Sequence, residues 1–305
     1  MAGNRAVVRI LVGVAGRSLA VMAGMVAGVA DVLDRRLGED RWQAVALGVS
    51  GGAIAAVAAA TGMGRDELRQ IAVQYPDDLV LGAPHYASML RRRVLYPRSR
   101  VRELARAIAG DRTFADFALP QGGSALLIPV FSARHGNLLL PRDLPELGLT
   151  DMPVADALVA ATRIPGALPA AVGHPGLFDG GCEYRVPHEI FDPHPSVILD
   201  LYGPEPHDSR GGLLFPLLAS GLPMIRHRPR PYRNARVRER TIFAGMPYGA
   251  ALGKPTAPPG DLFDRGYDLA AQWVADRTPE QIRALVCEVP DGPGASRASS
   301  AAGTA

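Results

Sequence analysis

Short apolar runs rich in β-branched residues alternate along this chain with longer stretches in which apolar positions recur every three or four residues. Side chains alternate between the two faces of a strand and return to one face of a helix after about 3.6 residues, so the first kind of run predicts strands and the second helices. Strands are expected at residues 7–12, 44–47, 125–132, 196–202 and 241–244, and helices at 21–36, 51–60, 66–74, 101–109, 154–162 and 262–276. In the last helix Leu262, Phe263, Tyr267, Leu269, Ala270, Trp273 and Val274 form a broad apolar face that should dock on the core. Alternation of the two kinds of element is the mark of a layered α/β protein. No repeat of solenoid length runs through it.

Residues 6–33 are apolar enough to raise a second possibility, a signal peptide or membrane anchor. Arg9 and Arg17 interrupt the stretch, and the uncharged run after them, 18–30, falls short of the roughly 20 apolar residues that cross a bilayer. No small-residue cleavage site clearly follows a single apolar block. A buried strand, a glycine turn and a buried helix therefore fit this stretch better. At the other end, residues 290–305 (PDGPGASRASSAAGTA) have nothing to bury and are expected to be disordered. A chain of 305 residues, 48% of them hydrophobic, can bury a large core, and residues 1–289 are read as a single domain.

Charge changes that picture little. The net charge is +3, and the basicity is almost wholly arginine, with Lys254 the one lysine. Two arginine clusters stand out: Arg91, Arg92, Arg93, Arg98, Arg100 and Arg102, then Arg226, Arg228, Arg230, Arg233, Arg236, Arg238 and Arg240. The second follows LLFPLLASGLPMI at 213–225, an apolar segment suited to a lid or a membrane-facing helix within an insertion over 204–240. Docking on anionic lipid headgroups is one reading of the clusters, and a solvated or salt-bridged arginine face is the other. Nucleic acid is not expected, since the only aromatics interleaved with the arginines are Tyr96 and Tyr232. Cys182 and Cys287 have neither the number nor the close spacing of a disulfide framework or thiolate metal site, which points to a cytoplasmic protein. No acidic loop resembles a calcium site, and neither a metal nor another cofactor is expected.

Candidate chemistry begins in VALGVSGGAIAAVAAATG, residues 45–62, where Gly48, Ser50 and Gly52 form a GxSxG pattern. In that pattern a serine sits on a sharp strand-to-helix turn with its hydroxyl pushed outward, and side chains at the glycines would collide with the turn. A strand expected before it and a helix after it supply the right context, and the helix dipole would favour negative charge near Ser50. A glycine-rich phosphate turn and a merely structural turn are the alternatives. A serine nucleophile needs a base. His188, His194, His207 and His227 are late enough in the chain for a serine, acid, histidine order, yet none has a distinctive setting. Asp179, in LFDGG, is a better candidate, although on its own an aspartate before two glycines also reads as a hairpin turn.

Taken together, three places resemble the patatin-like phospholipase family: GVSGG at 48–52, ATRIPGALPAA at 161–171, and LFDGGCEYRVP at 177–187. The resemblance implies a three-layer α/β/α fold with a mostly parallel central sheet. It also implies Ser50 as nucleophile and Asp179 as general base with no catalytic histidine, and Gly48, Gly52, Gly180 and Gly181 as supports of the two motifs. One part departs from the family pattern. Where the family carries GGGxRG after its first strand, this chain reads GVAGRS at 13–18. Gly13 and Arg17 match, while Val14, Ala15 and Ser18 stand in place of glycine. The expected oxyanion donors are the backbone N–H groups of Gly13, Val14, Ala15, Gly16 and Gly51, which need no particular side chain. A valine at a position requiring positive φ would be strained, however.

The activity this implies is hydrolysis of a carboxylic ester in a phospholipid or other acyl-ester substrate through a Ser50 acyl-enzyme, of the phospholipase A or lysophospholipase and esterase type. A peripheral contact with anionic membrane would accompany it. An acyltransferase would share the acyl-enzyme and differ in its acceptor. A catalytically degenerate scaffold acting by binding is the reading that the altered GVAGRS loop invites.

Overall fold

The computed structural model describes residues 6–16, 18–38, 42–92, 94–120, 122–164, 166–171, 173–182, 187–192, 194–203, 234–246 and 257–287. Its strands are β1 (Ala6–Val12), β2 (Trp42–Gly48), β3 (Leu126–Ser132), β4 (Gly136–Leu140), β5 (Leu177–Asp179), β6 (Val197–Asp200), β7 (Thr241–Phe243) and β8 (Val286–Cys287). They form one mixed sheet in the order β4-β3-β2-β1-β6-β7, with β5 added to β3 and β8 to β1. The central pairs β3/β2, β2/β1, β1/β6 and β6/β7 are all parallel, and the antiparallel additions lie outside that run. From β1 the chain proceeds through β2 and β3 in one direction and through β6 and β7 in the other. The carboxyl ends of strands at such a reversal form the usual crevice of an open α/β sheet.

The helices are α1 (Leu19–Leu37), α2 (Gly52–Thr61), α3 (Arg65–Gln74), α4 (Asp77–Leu81), α5 (Tyr86–Arg92), α6 (Val101–Ala109), α7 (Val154–Ala161), α8 (Ala235–Glu239), α9 (Pro259–Ala275) and α10 (Pro279–Leu285). Alternation along the strands divides the core. Val8, Ile10 and Val12 of β1 join the larger cluster, with residues of α1, α2, α6, α7 and α9. Val7 and Leu11 face the other way with Val45, Leu47 and Val49, covered among the described residues by Leu139, Phe191 and Val237. The sheet is thus mostly parallel with helices against it, as the alternation of elements implied. The apolar segment 213–225, the expected insertion up to residue 233 and the tail 290–305 lie outside the described residues.

The apolar stretch at 6–33 is a core strand and a core helix. Gly24 and Gly28 of α1 abut the backbone of Phe263 and Tyr267 in α9, and Gly266 of α9 abuts Val21, so a Cβ at any of the three would overlap a facing carbonyl oxygen. The two helices pack backbone against backbone. Tyr267 caps the contact by donating its hydroxyl to Asp31 Oδ2 at 2.7 Å. Among the described residues no helix is long and apolar enough to cross a membrane.

Candidate active site

The parallel ladder of β1 and β2 closes with the Val49 N–H donating to the Val12 carbonyl at 3.0 Å, after which the chain turns abruptly into α2. Ser50 occupies the turn with φ of 57°, the only positive value at a non-glycine position among the described residues. That conformation costs about 1–3 kcal/mol and is characteristic of a nucleophile elbow, which thrusts the serine side chain away from the sheet. The flanking glycines make the turn possible. A Cβ on Gly48 would come 2.6 Å from the Ala56 Cβ, and one on Gly52 would overlap the Gly13 carbonyl.

Sheet register brings the second residue to the same place. Ala46 and Leu47 of β2 pair with Leu126 and Leu127 of β3, so an extended continuation of β2 would set residue 50 opposite Val130. β2 leaves the sheet before reaching it. β4 already occupies the other edge of β3, and β5 fills the vacated edge with Asp179 opposite Val130. Ser50 Oγ donates to Asp179 Oδ2 at 2.6 Å, and both residues are buried. The second carboxylate oxygen, Oδ1, accepts the Gly181 N–H at 2.7 Å. Burial disfavours the charged carboxylate and pushes the Asp179 pKa up to about 7, while the Ser50 and Gly181 hydrogen bonds pull it partly back.

The two glycines after Asp179 serve close approach. Residues 180–182 form a short 3-10 turn, not a hairpin, and neither glycine takes a positive φ. A Cβ on Gly180 would lie 2.5 Å from the Pro129 carbonyl oxygen. One on Gly181 would lie 2.9 Å from Asp179 Oδ1, 3.2 Å from Val14 Cγ1 and 3.5 Å from Ser50 Cβ. Val14, Ser50, Asp179 and Gly181 therefore share one small space.

Arg163 has no place among the sequence-derived candidates, yet it borders β5 along its outer edge. Its backbone carbonyl accepts the Asp179 N–H at 2.9 Å, and its guanidinium donates to the Leu177 carbonyl at 3.0 Å and also to the Pro175 carbonyl. The guanidinium also stands 4.3 Å over the Phe178 ring. One residue thus satisfies an edge that a neighbouring strand would otherwise pair. It lies within the ATRIPGALPAA stretch at 161–171, but nothing in that stretch assigned the arginine itself a role.

The 13–16 loop passes beside the elbow. A Cβ on Gly51 would be 3.2 Å from the Ala15 Cβ and equally close to the Gly16 nitrogen. Positive φ occurs at Gly16, 53°, and at neither Val14 nor Ala15, so those two replacements of glycine carry no backbone strain of that kind. The Gly13 N–H donates to the Leu199 carbonyl at 2.8 Å, extending the β1/β6 ladder, and is not free to bind a ligand. Among the described residues, the N–H groups of Val14, Ala15, Gly16 and Gly51 have no protein acceptor. Arg17 lies outside the described residues.

The remaining candidates fall elsewhere. His188 Nε2 lies 3.6 Å from Glu189, and His207 and His227 are outside the described residues. Of the first arginine cluster, Arg91 and Arg98 are exposed, Arg100 lies 3.8 Å from Glu103, and Arg102 pairs with Asp156 at 2.9 Å. Of the second, Arg226, Arg228, Arg230 and Arg233 are outside the described residues, and Arg236, Arg238 and Arg240 lie on or just after α8. No group of three or more His, Cys, Asp or Glu capable of holding a metal occurs among the described residues.

Fold and site together define an α/β protein with a mostly parallel sheet flanked by helices and a strained serine turn at its carboxyl edge. A family model, patatin-like phospholipase, matches residues 20–192, more than half of the chain, and the chain belongs to that family. The matched span contains Ser50 and Asp179 and begins after the 13–16 loop. No curated protein matches the chain. Among solved structures, the crystal structure of the type III effector protein ExoU is similar, with 12% identity and a TM-score of 0.36 over 88% of this chain and 53% of that one. The chain therefore spans about half the length of that effector.

Proposed function

We propose that the protein is a lipid acyl hydrolase that cleaves carboxylic esters through a Ser50 acyl-enzyme, with Asp179 as general base. The observation that carries this reading is the 2.6 Å hydrogen bond from Ser50 Oγ, held in a strained elbow, to a buried carboxylate. Family membership supports it, since phospholipid esters are the substrates the family name denotes. Ionised Asp179 accepts the Ser50 proton as Oγ attacks the acyl carbonyl carbon. The same proton is then given to the departing alkoxide as the ester C–O bond breaks. A water molecule next loses a proton to Asp179 and attacks the acyl carbon, and the carboxylic acid leaves as Ser50 recovers its proton.

The developing oxyanion falls to the N–H groups of Val14, Ala15, Gly16 and Gly51, which have no acceptor among the described residues. Gly13 acts in this reading as the end of a strand, not as a donor. The substrate is a phospholipid or other acyl ester presented at an anionic membrane surface, to which the arginine-rich stretch near residues 91–102 is suited.

Treatment with a fluorophosphonate, followed by peptide mapping, tests the chemistry. Stoichiometric label on Ser50, lost in Ser50→Ala and Asp179→Asn, is the expected result. An unlabelled, folded wild-type protein would overturn it.

A further inference from the structure

The two most exposed large apolar side chains among the described residues stand one helical turn apart. Leu90 is 87% and Tyr86 64% exposed, both on the seven-residue helix α5. Positions four apart share one helix face, so the two project side by side. Between them Ser88 is buried, which anchors the opposite side of the helix and leaves this edge standing proud. Isolated exposed leucines are ordinary, but a paired aromatic and aliphatic projection on an anchored helix is a different matter.

The sequence around the pair is rich in arginine, of which Arg100 and Arg102 are paired with Glu103 and Asp156. Residues 82–102 contain Arg91, Arg92, Arg93, Arg98, Arg100 and Arg102 and no aspartate or glutamate. Arg91 and Arg98 are exposed, and both follow the apolar pair in sequence, Arg91 directly after Leu90. A short helix with projecting tyrosine and leucine beside arginines matches a lipid interface, where the rings and aliphatic groups enter the acyl boundary and the guanidinium groups meet anionic headgroups.

The helix is also tied to the candidate site. At its start the His85 N–H donates to the Leu95 carbonyl at 2.7 Å. Leu95 and Tyr96 in turn donate their N–H groups to the carbonyls of Gly166 and Ala167, at 3.0 and 2.8 Å. These follow closely on Arg163, whose carbonyl accepts the Asp179 N–H. A short backbone relay thus links α5 to the strand that presents Asp179.

From this we infer that the exposed edge of α5, with Tyr86, Leu90, Arg91 and the nearby Arg98, is the surface by which the protein docks on anionic phospholipid bilayers. The inference deepens the acyl-hydrolase reading by naming the surface that brings the enzyme to its substrate. It places docking on α5, within the described residues, and does not require the apolar segment at 213–225.

Sedimentation with vesicles tests it, using the full chain, phosphatidylcholine alone, and about equal parts of phosphatidylcholine and phosphatidylglycerol. Wild type should partition onto the mixed vesicles more strongly than onto phosphatidylcholine, and added salt should weaken the binding. Tyr86→Asp combined with Leu90→Asp should lower partitioning about tenfold or more. Arg91→Glu with Arg98→Glu should abolish the preference for the anionic vesicles. All four positions are exposed, so the variants should fold, and fluorophosphonate labelling of Ser50 in solution should proceed at the wild-type rate. Unchanged partitioning in the apolar double variant, or no binding by wild type, would overturn the inference. So would concentration-dependent self-association that Leu90→Asp abolishes, since the face would then join copies of the chain. The two readouts separate the claims: labelling judges the acyl-enzyme, and vesicle partition judges the surface.

Discussion

Ser50 and Asp179 meet at one level of β3, where Asp179 pairs with Val130 and Ser50 leaves the sheet just short of the same position. They are 129 residues apart in sequence, and the gap that β2 leaves on turning into α2 is what admits β5 beside it. The strain at Ser50 and the burial of Asp179 thus share one cause, the sharp exit of the chain at the elbow.

Burial raises the Asp179 pKa to about 7, and a general base works only when ionised. The rate of Ser50 labelling or of ester turnover should therefore climb as pH rises through about 7 and then level. A rate constant in pH from about 5 to 8 would remove Asp179 from the role of base.

The same shift has an opposite effect on stability. The folded pKa lies above the unfolded value of 3.8, so the folded state holds the proton more tightly, and the contribution of Asp179 to stability is lost as pH rises from about 4 through about 7. Asp179→Asn cannot ionise and should unfold at a higher temperature than wild type above neutral pH, with a gain on the order of a few kcal/mol that fades in acid. Labelling should vanish in the same variant. Thermal denaturation at several pH values reads the effect, and a loss of stability at alkaline pH would contradict it.

Gly52 and Gly62 bracket one helix and should respond differently to alanine. At Gly52 a Cβ would overlap the Gly13 carbonyl, a backbone atom that cannot rotate away, and the cost should be about 3 kcal/mol or more. At Gly62 the space is open and only the left-handed φ of 66° opposes the side chain, so about 1 kcal/mol is expected. Chemical denaturation of the two variants reads the difference, and equal losses would contradict the packing argument.

Arg163 holds the free edge of β5, so Arg163→Ala should let the strand shift and Asp179 drift from Ser50. Labelling should slow by about tenfold or more for a stability loss of about 1–2 kcal/mol. Arg163→Lys should recover only part of the rate, because an ammonium does not reproduce a planar fork stacked over Phe178. Labelling at the wild-type rate in Arg163→Ala would show that β5 holds its place without the guanidinium.

Elements with a long hydrophobic period are legible in the amino-acid sequence. The helix expected at 101–109 is α6 with the same limits, and the one expected at 262–276 is α9, which begins earlier because Pro259 occupies its first turn, where a missing N–H costs nothing. β4, β5 and β8, five, three and two residues long, have no counterpart among the expected strands. The altered loop at 13–16 poses a question that spacing alone leaves open. The backbone answers it by placing its positive φ at Gly16.

The chain by itself determined the α/β alternation, the burial of the stretch at 6–33 and the elbow around Ser50, because these follow from local period and local sterics. The resemblance pairs Ser50 with Asp179, but the register that brings them together, the close-approach role of Gly180 and Gly181, and the hold of Arg163 on β5 were decided only by tertiary structure. Each depends on which strand fills the edge of β3 once β2 has left it. That is a matter of long-range pairing, and no window of neighbouring residues encodes it.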